Sequence, residues 1–215
     1  GANIINIDHH SISSDALITY SNGKTRGVII NNQYSFEPDD YRFYSGAGVV
    51  WEVLSAIKAD FDCEEVQALV GISLLTDIRE IENDKAKDLL EITYSAHTPL
   101  INYLLYMTTN SKDFQFGYPA MDRNYIDYTF SPKINALFRL NRGDLAVKLI
   151  LEQLGEQKID FDSFKRVQNE NIALICEKAK KFDLPNIACF GVYKSDLPNP
   201  REYEMSNFIG VACSR

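Results

Sequence analysis

Asp8-His9-His10, placed at the end of the apolar run Ile4-Ile5-Asn6-Ile7, constrains this chain more than any other feature. Such a run reads as a buried strand, and the motif then stands at its C-terminal tip. In open α/β sheets that edge is where ligands bind. One carboxylate beside two imidazoles is also the donor mix that holds divalent transition metals such as manganese or zinc. The expectation is a metal-dependent enzyme, and phosphate chemistry is the commonest use of such sites. A plainer reading is an aspartate that caps the next turn, with two surface histidines. Two of the chain's three histidines are here, which favours the metal reading. The strand starts at residue 3, leaving nothing ahead of it to supply the rest of a metal site.

The 215 residues suffice for one large domain or two small ones with a good core. No apolar run approaches the ~20 residues that span a bilayer, so no membrane partner is expected. The first residues lack a basic stretch, so no signal peptide is expected either. Cys63, Cys176, Cys189 and Cys213 are scattered without a CxxC pair, which fits a reducing, cytoplasmic setting. A net charge of −8 argues against a protein that coats nucleic acid nonspecifically. It leaves a nuclease open, because a carboxylate-rich site is acidic until metal binds and a local basic groove can coexist with an acidic whole.

Residues 3–8 read as one buried strand, and Gly27-Val28-Ile29-Ile30 as a second that ends in the turn-prone Asn31-Asn32. Ser45-Gly46-Ala47-Gly48 opens a helical pattern through Val49, Trp51, Leu54 and Ile57, with Ser45 as its cap. Further helices are expected over Glu64–Ile78, with Val66, Leu69, Val70 and Leu74 on the apolar face, over Asp84 to about Tyr94, and over Thr98–Met107. Residues 110–131 read as irregular and aromatic. Helical periodicity returns at about 143–155 and again at 161–182. Ile187–Val192 and Phe208–Cys213 then read as strands of a new unit, punctuated by Pro185, Pro198 and Pro200.

Asp77 is the second candidate ligand. It ends the apolar segment Leu74-Leu75-Thr76, and carboxylates in such surroundings pair, cap or bind metal. Alone it reads as a helix-terminal or salt-bridged residue; beside Asp8-His9-His10 it reads as a ligand.

With these motifs in order, the chain resembles the DHH phosphoesterase superfamily, and within it the RecJ-like single-strand-specific exonucleases. Asp8-His9-His10 matches the motif that names the superfamily. Ser45-Gly46-Ala47-Gly48-Val49-Val50-Trp51 is similar to its glycine-rich helix start, and Leu75-Thr76-Asp77-Ile78 to its last acidic motif, with Ser73 where glycine is usual. Asn83 echoes an asparagine soon after that motif. Ser131-Pro132-Lys133-Ile134-Asn135-Ala136-Leu137-Phe138-Arg139-Leu140 resembles the segment in which RecJ proteins carry Pro-Arg-Ile-Asn-Ala-Ala-Gly-Arg, with Leu137-Phe138 in place of Ala-Gly. Ile209-Gly210-Val211-Ala212-Cys213-Ser214-Arg215 resembles the opening of the second domain, DHHA1. The upstream Asp-x-Asp motif and the next acidic motif have no place in this chain, nor has the glycine- and histidine-rich end of DHHA1. The chain reads as the middle of a longer protein.

The resemblance implies an α/β fold. Its parallel-sheet DHH domain, incomplete at the N-terminus, covers residues 1–140. A helical connector over 141–183 leads to the start of a DHHA1-type α/β domain at 184–215. It implies His9 and Asp77 as metal ligands, His10 as a contact to the scissile phosphate, and Asp8 as an orienting residue or a direct ligand. Two divalent ions, manganese first and magnesium second, would hold an attacking hydroxide and neutralise charge at phosphorus. The missing upstream carboxylates would complete that pair, so this chain alone is expected to bind metal weakly and turn over little. The implied activity is 5′-to-3′ hydrolysis of single-stranded DNA, with DNA repair or replication proteins as partners. One rival is an oligoribonuclease or cyclic-dinucleotide phosphodiesterase acting on short oligonucleotides, which suits the acidic charge. Another is a non-catalytic subunit of a replication or repair assembly.

Asn135 and Arg139 are candidates for substrate phosphate, since arginine clamps phosphate bidentately; a helix-start asparagine and a surface arginine explain them equally well. The backbone amides near Ser45 and Gly46 suit an anion at a helix N-terminus, but close packing of Gly46 and Gly48 against the sheet is the preferred reading. The aromatics Phe114, Phe116, Tyr118, Tyr125, Tyr128 and Phe130 suit base stacking, although packing explains them better. His97 reads as a helix-end residue. Lys178, Lys180 and Lys181 read as cations that complement a helix C-terminus.

Overall fold

The computed structural model describes residues 3–10, 19–21, 26–34, 42–77, 79, 81–109, 119–155 and 157–179. The architecture is mixed α/β, mostly helical with a small sheet. Contacts divide the chain into two compact units, Gly1–Ile101 with Ala120–Ile126, and Asn102–Pro119 with Asp127–Arg215. No described helix is long and apolar enough to cross a membrane.

In the first unit β1 (Asn3–Asp8) pairs in parallel with β3 (Arg26–Asn31), and β2 (Thr19–Ser21) pairs antiparallel on the other edge of β3. The parallel register sets Asp8 opposite Asn31, so both strands end side by side. β2 carries no periodic signal because it is three residues long. The apolar run of β1 does not make it a buried strand: Ile4 is 45% and Ile5 66% exposed. β1 is an edge of the described sheet, ordered β1-β3-β2, and only Ile7 of its isoleucines packs against the core.

Helix α1 (Gly46–Ile57) starts where expected, with the Ser45 hydroxyl accepting the Gly48 N–H at 3.2 Å. Ile57, expected on its apolar face, is exposed at the last position of the helix. Helix α2 (Glu64–Thr76) buries Ala68, Val70, Ile72, Leu74 and Leu75 on nearly every side, as an interior helix does. It packs against α1 and against α3 (Asp84–Ser95), which Asn83 caps by accepting the Lys85 N–H at 2.8 Å. The core joins Phe43, Tyr44, Val49, Trp51, Val70, Leu74, Ala86 and Leu89, with Ile7 and Ile30 from the sheet packed on it. Helix α4 (Pro99–Thr108) follows, its first turn capped by Thr98, whose hydroxyl accepts the Ile101 N–H at 3.3 Å.

The expected irregular stretch at 110–131 is helical from residue 123. A single turn α5 (Arg123–Tyr125) leads through a π-helical segment (Ile126–Phe130) into α6 (Ser131–Arg139). Pro132 in the first turn of α6 hides it by looking like a breaker, although buried Ile126, Phe130 and Ile134 recur at the four-residue spacing of a helix. Phe130 is buried and Tyr128 is 77% exposed, so the aromatics divide between packing and surface. Residues 110–118, with Phe114, Phe116 and Tyr118, lie outside the described residues.

In the second unit α6 packs on α7 (Gly143–Ile150) and on α8 (Phe161–Ala179), burying Leu137, Leu140, Leu149, Ile172 and Ile175. Helix α7 stops five residues short of the expected 155. Glu152 turns left-handed at φ 54°, and the Gln153 N–H reaches back to the Lys148 carbonyl at 2.8 Å, an ending that closes a helix. Asn141, at φ 53°, ends α6 in the same way. The long helix expected at 161–182 is described to Ala179. The strands expected at Ile187–Val192 and Phe208–Cys213, with Lys180 and Lys181, lie outside the described residues, as does the side chain of Lys178.

At Gly71, α2 lies close against α3. A Cβ there would lie 2.0 Å from Thr93 Oγ1 and 2.7 Å from the Leu89 carbonyl oxygen. The Thr93 hydroxyl is itself bonded to the Leu89 carbonyl at 2.8 Å, so it has little room to yield. Gly71→Ala is therefore expected to lose about 1–3 kcal/mol in urea denaturation. An unchanged midpoint would show that the two helices separate at no cost.

Candidate metal centre

The site is built from the tip of β1, the start of α1 and the end of α2. Asp8 is the last residue of β1, and its Oδ1 accepts the backbone N–H of His9 at 2.8 Å and of His10 at 3.4 Å. The same oxygen meets His10 Nδ1 at 2.7 Å. The imidazole of His10, followed by the His9 N–H, holds the Asp8 carboxyl below its ordinary value of 3.8. One donor atom from each of Asp8, His9 and His10 lies within 4.8 Å of the others.

The two histidines face different surroundings. His10 is 77% exposed, whereas His9 is 14% exposed, with the start of α1 against its ring. A Cβ at Gly46 would lie 3.3 Å from His9 Cδ2, so the glycine permits this contact. Close packing explains Gly48 as well: a Cβ there would lie 2.7 Å from the Tyr44 ring.

Asp77 is the C-cap of α2, and its Oδ2 stands 3.3 Å from His9 Nδ1. That is an ion-pair distance without hydrogen-bond direction, and Nδ1 is buried with no hydrogen-bond partner. Two neighbouring donors of one metal, each at ~2.1 Å from it, stand roughly 3.0–3.4 Å apart. A desolvated imidazole nitrogen that faces a carboxylate at that spacing is a set that a divalent cation would satisfy, so the residues present fit a metal. Asp77 is both the helix-terminal residue and the partner of His9.

A line of hydrogen bonds joins the start of α1, which lies against the His9 ring, to the end of α2, which leads into Asp77. Ser73 Oγ donates to the Val70 carbonyl at 2.6 Å, which commits its proton. The 2.6 Å contact between Ser45 Oγ and Ser73 Oγ is therefore donated by Ser45, which also accepts the Gly48 N–H. The Ser73 carbonyl accepts the Asp77 N–H at 3.0 Å. Side chains also hold the segment before α1: Arg79 donates to the carbonyls of Arg42 and Phe43, and Asn32 to that of Tyr44. The sequence reading passed over Arg79 because a lone arginine past a helix carries no pattern.

Asn135 and Arg139 belong to the second unit, one turn apart on α6, and both are half-buried. Burial lowers the Arg139 guanidinium below its ordinary value, yet arginine remains a cation. His97 is exposed beyond the end of α3, as a helix-end residue.

Because the Asp8 carboxyl is lower in the folded chain than in the unfolded one, its contribution to stability is present above about pH 3.8 and is lost as pH falls through the folded value. The Asp8 carboxyl carbon, followed by NMR in metal-free protein, should titrate below 3.8, and His10→Ala should raise that midpoint. A midpoint at or above 3.8 in the unsubstituted protein would show that the His10 bond is absent in solution.

No family model and no curated protein matches this chain. Solved structures do. A crystal structure of exonuclease RecJ bound to manganese is similar over 98% of this chain and 51% of its own, with 15% identity and a TM-score of 0.66. RecJ from Thermus thermophilus in complex with Mn2+ is similar over 91% of this chain and 29% of its own, with 15% identity and a TM-score of 0.63. The chain thus spans about half the length of the first and less than a third of the second. At this identity the likeness establishes the fold, which is RecJ-like.

Proposed function

We propose that this chain is the central part of a metal-dependent phosphodiesterase that degrades single-stranded DNA from the 5′ end. The observation that carries this reading is the buried, unbonded His9 Nδ1 facing the Asp77 carboxylate at 3.3 Å. The manganese in the similar RecJ structures supports the same metal here, with magnesium as the alternative. His9 and Asp77 would hold the ion, and a second ion is proposed with carboxylates outside this chain. A divalent ion bound here would polarise a phosphate oxygen and supply a hydroxide at neutral pH.

The chain's own groups divide the remaining work. The Asp8 carboxylate takes the Nδ1 side of His10, which leaves the exposed Nε2 side to meet a phosphate. That 2.7 Å bond supports an orienting role for Asp8 over a direct ligand role. Asn135 and Arg139 are proposed as phosphate contacts, a donor pair one helical turn apart. Residues 1–140 are proposed as the DHH part, 141–183 as the connector and 184–215 as the start of DHHA1. A cytoplasmic setting is proposed, since the four cysteines are scattered in the sequence without a CxxC pair.

The net charge of −8 favours a second reading, hydrolysis of short oligonucleotides or cyclic dinucleotides, since short substrates need no long basic groove. A non-catalytic role is disfavoured by the retained spacing of His9 and Asp77.

The test is manganese-dependent digestion of 5′-labelled single-stranded DNA by the intact protein. Degradation from the labelled end is expected, falling by more than about 100-fold in His9→Ala. Release of mononucleotides from short oligomers alone would move the proposal to the second reading. No hydrolysis of either substrate would sink the enzyme reading.

A further inference from the structure

Asn31 ends β3 directly across from Asp8, at the last pair of the parallel ladder. Its amide acts in two directions. Oδ1 accepts the Gln33 N–H at 2.8 Å, a local turn of the kind asparagine makes. Nδ2 donates to the His10 carbonyl at 3.0 Å, across 21 residues of chain. The His10 carbonyl lies where the chain leaves the motif, two residues past the end of the ladder. Within the turn, Asp8 Oδ1 collects the N–H groups of His9 and His10. The turn's donors are thus held from inside, and its last carbonyl is held from outside by Asn31.

We infer that Asn31 is a positioning residue for the candidate metal centre: it latches the Asp8-His9-His10 turn to β3 and thereby sets where His9 stands against Asp77. This rests on the metal reading proposed above. Groups that hold metal ligands in place commonly govern affinity as strongly as a weak ligand does. Asn31 offers no motif in the sequence, since an Asn-Asn pair after a strand is explained by turn chemistry alone.

Aspartate at this position separates the two jobs. It still accepts the Gln33 N–H, but it cannot donate to the His10 carbonyl. Selective 15N-histidine labelling of the intact, metal-free protein reports on His9, His10 and, as an internal control, His97. In the unsubstituted protein the amides of His9 and His10 should show order parameters near 0.85, and in Asn31→Asp they should fall below about 0.6. His97 and the thermal midpoint should not change. Mn2+ alone, titrated by electron paramagnetic resonance, should bind the variant about 10-fold more weakly.

Unchanged order at His9 and His10 would overturn the latch. Lower order with equal Mn2+ affinity would overturn the positioning role. Failure of the unsubstituted protein to bind Mn2+ would overturn the metal reading, and the positioning role with it. That failure is told apart from failure of the latch because the order parameters still separate the two proteins.

Discussion

The candidate centre depends on how closely the first turn of α1 approaches the tip of β1. Gly46 has no Cβ, and one would stand 3.3 Å from His9 Cδ2, tighter than ordinary contact. Ser45 caps the helix at that point, and its hydroxyl passes the contact on to Ser73 in α2. Asp77 follows Ser73 by one turn, so the same hydrogen bonds that seat α1 on α2 also bring a carboxylate to the imidazole. Donors carried on strand and helix ends hold a spacing better than donors on free loops. The Ser45–Ser73 link explains why a serine is accommodated at 73: its hydroxyl has an acceptor in the Val70 carbonyl and a donor in Ser45.

Adjacent residues in the Asp-His-His motif carry opposite electrostatic burdens. The two rings lie with centroids 4.4 Å apart, yet they differ in exposure. His10 reaches solvent and engages Asp8, a pair whose effect on the fold is small because both groups are well hydrated. His9 is withdrawn from water, and its Nδ1 finds no hydrogen bond. Leaving a buried polar atom unsatisfied costs roughly 1–3 kcal/mol. A site that keeps such an atom opposite a carboxylate is strained without a cation and relieved with one. That asymmetry is what the proposed metal role of His9 and Asp77 rests on.

The candidate ligands stand out in the sequence because polar groups follow apolar runs, although Asp77 is exposed and the β1 run lies at a sheet edge. A carboxylate after Leu74-Leu75-Thr76, and charged groups at the end of an isoleucine run, stand out whatever fold encloses them. Helices α1, α2 and α3 were legible from apolar spacing, and α1 also from Ser45 as its cap, whereas the Asn83 cap of α3 emerges only in the structure. The supporting residues were not. Asn31, Arg79 and Ser73 act through single hydrogen bonds between elements distant in sequence, which no local pattern records. The exposure of Ile4 and Ile5 was hidden because an apolar run does not say whether its strand is central or at an edge. The helical course from Arg123 was hidden by Pro132, which looks like a breaker. Helix α7 looked longer than it is because Leu151 continues its apolar face while Glu152 has already turned left-handed.

His9 and Asp77 are proposed to hold one cation between them. Anomalous diffraction from crystals of the intact protein soaked in Mn2+ tests this. An anomalous peak is expected about 2.0–2.2 Å from His9 Nδ1 and from an Asp77 carboxylate oxygen. Density without a peak between them, with Nδ1 hydrogen-bonded to Asp77 or to a water, would contradict it.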